Sequence, residues 1–202
     1  FDTAVVPGTG KVQAVFMFNG SCLACRANKW YVSSGAGWGS ALITLGSTPG
    51  KILATRYNWS GTDNIIICDG VNAPIHYDGT TLTSMIATNS VNGTTISTAT
   101  ANNIVGAQAV QEFHGHMYYS VGEFIRFSAP VEEGLVDGTS GSGELITGSK
   151  KLGMAPWREQ LFLFGDDRIA KITGQNSTDF KSENVTHKVG VIDPRTIKEM
   201  NG

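Results

Sequence analysis

The sequence predicts an all-β fold made of repeated, four-stranded antiparallel blades, a partial β-propeller. Three observations predict it. Hairpin turns recur in a fixed order with a spacing of roughly 40 to 50 residues, the range of propeller blades. The chain holds 25 glycines and abundant Asn, Ser and Thr, the residues of tight turns. Periodic Leu/Glu/Lys/Ala stretches that would make long helices are absent.

Each unit runs an apolar strand into a turn, then a second strand, a third rich in aromatics, and a looser fourth. In the first unit, Lys11 to Phe18 is the opening strand and Asn19-Gly20 its turn, a pair suited to two consecutive positive φ angles. Ser21 to Arg26 and Trp30 to Ser33 follow, then Gly35-Ala36-Gly37, Trp38 and Ala41 to Leu45. In the second, Ile52 to Trp59 turns at Ser60-Gly61-Thr62-Asp63 into Asn64 to Cys68. Asp69-Gly70 leads to Pro74 to Tyr77, and Asp78-Gly79 to Thr80 to Met85.

The third unit opens at Val105 to Phe113 and turns at His114-Gly115. His116 to Ser120, Glu123 to Ser128 and, after a Gly/Ser/acidic loop from Pro130 to Gly143, Glu144 to Thr147 complete it. The fourth opens at Leu152 to Trp157, turns at Arg158-Glu159-Gln160, and continues through Leu161 to Phe164, Arg168 to Thr173 and Phe180 to His187. A fifth opening strand is predicted over Val191 to Met200, before Asn201-Gly202. The units are 11–50, 51–88, 104–148, 150–188 and the start of a fifth at 189–202, within one β-repeat region over 1–202. From this register the sequence is expected to be a fragment of a larger chain, because an opening strand without its partner leaves an unpaired edge. Stacked blades bury both sheet faces, which accounts for near-continuous apolar strands such as Ala14 to Phe18. The alternative architecture is a β-sandwich with regular hairpins.

Composition narrows the function. Charged residues make up 16% of the chain and the net charge is −2, which argues against a polybasic nucleic-acid or membrane-surface protein. No apolar run reaches the roughly 18 residues of a membrane span. Three cysteines suit a reducing compartment better than a disulfide framework. Sequons at Asn19, Asn58, Asn92, Asn176 and Asn184 are expected by chance in so Asn-, Ser- and Thr-rich a chain. Thr88 to Asn103 (the 88–103 insertion) reads either as a surface loop or as an arm ordering against a neighbouring subunit.

Several constellations invite a chemical reading, and each has a plainer one. Cys22 and Cys25 have metal-pair spacing, but Cys68 is the only other cysteine, and positions three apart on a strand face opposite ways. His114 and His116, with Glu112, share a strand parity, but His114 belongs to the turn. Asp166-Asp167 and Glu132-Glu133 resemble acid/base pairs of a glycosidase; the first is expected as a hairpin turn, the second as a solvated loop. Gly35 to Gly39 lacks the helix and the Lys-Ser/Thr of a phosphate loop. Trp38 and Trp59 are expected to pack between blades, while Trp30, Tyr31 and Tyr57 either do the same or line a sugar groove. No catalytic, cofactor or metal site is assigned, and the chain is not expected to be an enzyme.

Four passages, in order, resemble tail proteins of tailed bacteriophages. Asn64 to Thr80, with Asp69-Gly70-Val71-Asn72-Ala73-Pro74 and Tyr77-Asp78-Gly79-Thr80, is similar to their "NGVNxPxxYDGT" passage. Gln111 to Pro130, containing Met117-Tyr118-Tyr119 and Arg126-Phe127-Ser128-Ala129-Pro130, resembles a "LYxS…xxxFSxP" pattern. Leu161 to Gly165 through Lys171 to Gly174 looks like "hLhhFxxxxIxxhTG", and Val189-Gly190 through Pro194-Arg195-Thr196 like an "xGxxxPRSh" blade opening. The resemblance covers most of the chain after about residue 50. It implies a propeller in a nozzle, stopper or tail-stabilising protein of the virion, assembled in the host cytoplasm. It also implies partners: copies of itself in a ring, usually of six, adjacent tail or connector proteins, and DNA passing through the channel without sequence recognition. No enzymatic activity, cofactor or membrane insertion comes with it. A carbohydrate- or receptor-binding propeller module is the alternative function.

Overall fold

In the computed structural model, the described residues are 5–33, 35, 37–85, 90–91, 94–95, 103–136, 138 and 140–197. Four separate four-stranded antiparallel sheets carry the fold, each with its strands in sequence order. Blade 1 holds β1 (Val12–Phe18), β2 (Ser21–Arg26), β3 (Lys29–Ser33) and β4 (Ile43–Thr44). Blade 2 holds β5 (Leu53–Tyr57), β6 (Asn64–Cys68), β7 (Ile75–Tyr77) and β8 (Leu82–Ser84). A two-stranded hairpin, β9 (Ser90–Val91) with β10 (Thr94–Thr95), lies within the Ser/Thr/Asn-rich insertion. Blade 3 holds β11 (Ala109–Phe113), β12 (His116–Val121), β13 (Phe124–Phe127) and β14 (Gly143–Ile146). Blade 4 holds β15 (Lys151–Trp157), β16 (Gln160–Gly165), β17 (Arg168–Thr173) and β18 (Lys181–His187). This is a partial propeller; a sandwich, in which two sheets share one core, is not what forms.

Turn chemistry sets the hairpins. Asn19 and Gly20 have φ of 46° and 78°, and His114 and Gly115 have 50° and 74°, the mirror-image turn that matches strand twist. At the matching place in blade 4, Arg158 and Glu159 adopt 47° and 59° with no glycine to relieve them.

Strand alternation then builds the cores between blades. In β6, Ile65 and Ile67 face blade 1, packing with Leu23, Cys25 and Trp30. Ile66 and Cys68 face the other way, into a second core with Val110, Met117 and Tyr119 of blade 3. A third core joins Ala109, Phe113 and Tyr118 of blade 3 to Met154, Leu161 and Leu163 of blade 4. Each large side chain so buried contributes about 1.5–3 kcal/mol. Trp30, Ile66, Tyr118 and Leu163 are completely buried.

The chain also repeats its links between blades. The Lys151 amide, opening blade 4, donates to the Gly122 carbonyl in the β12–β13 turn at 3.4 Å. The Val191 amide donates to Gly165 at the end of β16 at 2.8 Å, so the segment after blade 4 enters where a next inner strand would begin. Over 191–197, however, there is no strand. Residues Pro194–Thr196 form a 3-10 turn capped by Asp193, whose carboxylate accepts from the Arg195 amide. Pro194 removes a ladder donor and fixes φ, which favours a turn there. Residues 198–202, with Asn201-Gly202, lie outside the described residues.

Candidate functional site

The inner strands β1, β5, β11 and β15 come together around an axial cavity of about 430 Å³. Its wall is apolar and amide-bearing: Val15, Leu53, Val110 and Met154, with Gln13 and Gln111. Bulges interrupt β1 between Val12 and Ala14, and β15 between Lys151 and Gly153. Pro194, Arg195 and Ile197 close one side. Gly153 permits that closure, because a Cβ on it would sit 2.5 Å from Ile197 Cδ1 and 2.9 Å from Pro194 Cβ. Lys51 ties the same segment to blade 2, donating to the Ile192 carbonyl at 2.7 Å. Asp193, paired with the Arg195 guanidinium, keeps its carboxyl well below the usual carboxylate range. A volume of this size suits a small molecule, not a nucleic-acid duplex.

A second concavity, of about 380 Å³, lies between the β11–β12 and β15–β16 hairpin tips. Trp157 is 51% exposed there, with the Arg158 guanidinium 4.6 Å over its ring and Phe162 edge-on at 5.8 Å. His114 Nε2 lies 3.0 Å from Glu159 Oε2, and its ring stacks on Phe113. Three of the chain's positive-φ residues that are not glycine, His114, Arg158 and Glu159, meet at this groove.

The residues singled out from the sequence are distributed differently. Cys25 lies in the core between blades 1 and 2 and Cys68 in that between blades 2 and 3, while Cys22 sits on the opposite face of β2. Burial pushes the Cys25 thiol up to about 12 and Cys68 well above its ordinary value, so neither is a ready thiolate. His116 is not beside His114: it is buried, its Nδ1 2.6 Å from the Ser128 carbonyl, among Tyr118, Phe127 and Phe180. Glu112 accepts from the Gly115 amide within its own hairpin. Among the described residues no group of three or more His, Cys, Asp or Glu is placed to hold a metal.

Asp167 pairs with the adjacent Arg168, which holds its carboxyl below the usual range, and Asp166 abuts Gly190. The solvated-loop expectation fails for Glu133, which is fully buried. Backbone bonds fold this loop tightly, from Glu132 to Ala129, Ala129 to Leu135 and Val131 to Gly115, and the Tyr119 hydroxyl donates to the Glu133 carbonyl at 2.7 Å. Trp38 bridges to Ser33 beside Gly35 and Gly37, with Ser34 and Ala36 outside the described residues. Trp30, Tyr31 and Tyr57 are buried, and Trp59 packs on Tyr57 at 4.7 Å, so none of these four offers an open sugar platform.

Three residues escaped sequence reasoning. Trp157 was visible as an aromatic beside a glycine-free turn. Lys151 is wholly buried at the start of β15, with Nζ donating to Ser149 Oγ at 2.6 Å; burial and the nearby Arg168 lower its pKa. His76, buried on β7, lies with Nε2 2.9 Å from Asn64 Oδ1. Nothing in their sequence neighbourhoods marks the last two as buried polar groups.

No family model matches the chain, and no curated protein does. Among solved structures, the computationally designed Ika4 protein matches with a TM-score of 0.47 and 9% identity, over 91% of this chain and 96% of that one. BBS1N, solved in complex with ARL6DN, matches with a TM-score of 0.46 and 10% identity, over 83% of this chain and 52% of that one. PorZ of Porphyromonas gingivalis, an essential bacterial surface component of the type-IX secretion system, matches with a TM-score of 0.46 and 11% identity, over 95% of this chain and 23% of that one.

Proposed function

We propose that this chain is a non-enzymatic structural protein of a bacteriophage virion, in the tail or head-to-tail connector, whose copies assemble in a ring around the DNA path. The observation that carries the reading is the ordered run of four tail-protein-like passages. These fall on β6 and β7, on β11 to β13, on β16 and β17, and on the segment entering after blade 4. The reading is also supported by what the tempting side chains do. The Asp166-Asp167 pair shapes a turn, His116 is spent on a backbone carbonyl, and the cysteines are core residues. The DNA path in this reading runs through the ring of subunits, since the axial cavity is too small for a duplex. Mass spectrometry of purified particles from a phage encoding the sequence tests the proposal. The chain is expected among the virion proteins, in a copy number set by ring symmetry; its absence from intact particles overturns the reading.

A second reading, a receptor- or carbohydrate-binding module, is favoured by the groove at Trp157, whose half-exposed indole is flanked by Arg158, Glu159 and His114. Aromatic faces with adjacent polar groups suit sugar rings. A glycan array probed with the wild-type chain and with Trp157→Ala tests it: binding lost in the variant is expected, and no binding by folded wild type overturns it.

A further inference from the structure

Ser149 and Lys151 stand two residues apart where the chain passes from β14 of blade 3 into β15 of blade 4. Extended backbone sends side chains at that spacing to the same side. Lys151 Nζ lies 2.6 Å from Ser149 Oγ, in hydrogen-bond contact. The backbone around the pair is held in place. The Thr147 hydroxyl bridges the carbonyls of Glu123 and Ser149, each at 2.9 Å. The Ser120 hydroxyl on β12 donates to the Lys151 carbonyl at 2.6 Å, and the Lys151 amide donates to the Gly122 carbonyl. Lys151 therefore cannot turn away from Ser149 without breaking bonds to blade 3.

Burial divides the roles of the two side chains. Lys151 is wholly buried, whereas Ser149 is half-buried between the exposed Gly148 and Lys150. Among the described residues no carboxylate forms an ion pair with Lys151. A buried, unpaired ammonium is costly, and it sheds that cost by giving up its proton. Burial and Arg168 both push the Lys151 pKa down, while Asp166 and Asp167, on the β16–β17 turn, oppose the shift. Glu123, across in blade 3, acts on Arg168. A neutral amine in contact with a hydroxyl accepts its proton, which is the relation of base to nucleophile. Arg168 adds a third group. Its Nε and NH2 are bonded to Asp167, each at 3.2 Å, and its NH1 lies 3.7 Å from where a Cβ of Gly148 would stand. A guanidinium is thus placed one residue from the serine, where it can offset negative charge gained by an attacked acyl group.

We propose that Ser149 is a nucleophile with Lys151 as its general base, and that it takes a small acyl group from an ester. In this step Ser149 Oγ forms a bond to the carbonyl carbon while its proton passes to Lys151 Nζ. The bond from that carbon to the leaving oxygen breaks, and Lys151 hands the proton on to the departing alcohol. The products are an O-acyl serine and a free alcohol, and nothing is oxidised or reduced. The serine is half-buried, which selects a small acyl group over a bulky one. The step ends at the acyl-serine, one event per chain, so it asks for no turnover. It goes beyond the assembly reading above and does not rest on it.

Reaction of the purified chain with p-nitrophenyl acetate, with peptide mapping by mass spectrometry, tests it against Ser149→Ala and Lys151→Met, each checked for folding by circular dichroism. Wild type is expected to carry acetyl on Ser149 and to release a burst of nitrophenolate matching the chain concentration. Ser149→Ala is expected to lose the burst and to keep only the slow labelling of surface lysines. Folded Lys151→Met is expected to acetylate Ser149 more slowly by about 10²-fold or more. The wild-type rate is expected to rise with pH to a plateau, with its midpoint below the ordinary lysine value, and Lys151→Met to lack that midpoint. A bond that only shapes the linker would leave the pH profile of the serine unmoved. Where Lys151→Met does not fold, the wild-type profile minus that of Ser149→Ala carries the same test, since the midpoint belongs to the serine reaction alone. Folded wild type without acetyl on Ser149 overturns the proposal. So does an equal rate in folded Lys151→Met, a Ser149 rate without the midpoint, or acetyl found on Lys151 in place of Ser149, which would make the lysine the nucleophile.

Discussion

Acidification should destabilise this fold through one residue, His76. Its ring is 4% exposed and lies in the interface between blades 2 and 3, 6.5 Å from the Tyr57 ring. The Asn64 side-chain amide donates to the Thr62 carbonyl at 2.9 Å, which fixes its orientation and turns Oδ1 toward His76. Nε2 therefore carries the proton of the neutral ring and donates it. Burial lowers the His76 pKa from 6.5 to about 4, against the opposing pull of Asp78. Between those values the unfolded chain binds a proton that the folded chain does not. Stability is therefore lost as pH falls from 6.5 toward 4, and the slope ends below the folded value. At about 1.36 kcal/mol per pH unit, the full loss is about 3 kcal/mol. Urea unfolding followed by tryptophan fluorescence between pH 7 and 4.5 measures it. His76→Gln keeps a donor for Asn64 but does not titrate, so the difference between wild type and variant isolates this residue from carboxylates that titrate in both. The stability gap between them should shift by about 2–3 kcal/mol over that range. Parallel curves would refute the reasoning, and would mean that the ring is hydrated in solution or that blades 2 and 3 part before it protonates.

Replacing Arg158-Glu159 by Asn-Gly should stabilise the chain by about 1–2 kcal/mol, the left-handed cost of residues with a Cβ, less what the Trp157 stacking and His114 pairing return; a lower thermal midpoint would show that those contacts outweigh the strain. Gly153→Val should expel Pro194 and Ile197 from β15 and speed tryptic cleavage after Arg195, read by mass spectrometry; an unchanged cleavage rate would mean that the segment is not held there. Lys151→Met should leave stability level or raise it by about 1 kcal/mol, because a buried ammonium is replaced by an apolar chain of similar length; a loss above about 2 kcal/mol would show that the Ser149 bond and the field of Asp166 and Asp167 overcome the burial. Ser128→Ala should cost about 1–3 kcal/mol in chemical denaturation, since Ser128 Oγ accepts from the buried Met117 amide and donates to the Ala129 carbonyl.

How much of this was legible in the sequence follows from the range over which each signal acts. Hairpins are local: Asn19-Gly20 and His114-Gly115 announce their turns because few residues tolerate consecutive positive φ, and the strands around them fall close to the predicted bounds. Arg158-Glu159-Gln160 also reads as a turn from its place in the repeat, although Arg158 and Glu159 obey none of the usual turn chemistry. What was not legible is non-local. Glu133 reads as part of a polar loop, yet it is buried where Tyr119, 14 residues away, reaches its carbonyl. The fifth opening strand is expected from the repeat register, but Pro194 and the Asp193 cap divert 191–197 into a turn. His114 and His116 share a parity on paper and separate in space, because the turn swings His114 out to Glu159 while His116 stays in the ladder opposite Phe113.

The candidate sites show the same limit in sharper form. Ile66 and Cys68 in β6, and Phe162 and Phe164 in β16, read identically in the sequence, each as the alternate apolar positions of a strand buried on both faces. Only the stacking order separates them, since among the described residues a sheet follows blade 2 and seals its pair, while the 191–197 segment follows blade 4. A sequence pattern therefore reports that a face is built for burial, and says nothing of what buries it. The same holds for Trp30 and Trp157, both strand aromatics, one completely buried and one half in solvent. Function in a repeat fold is thus to be sought where the local rule is broken, at the hairpin tips where a residue with a Cβ occupies a conformation that the fold elsewhere gives to glycine.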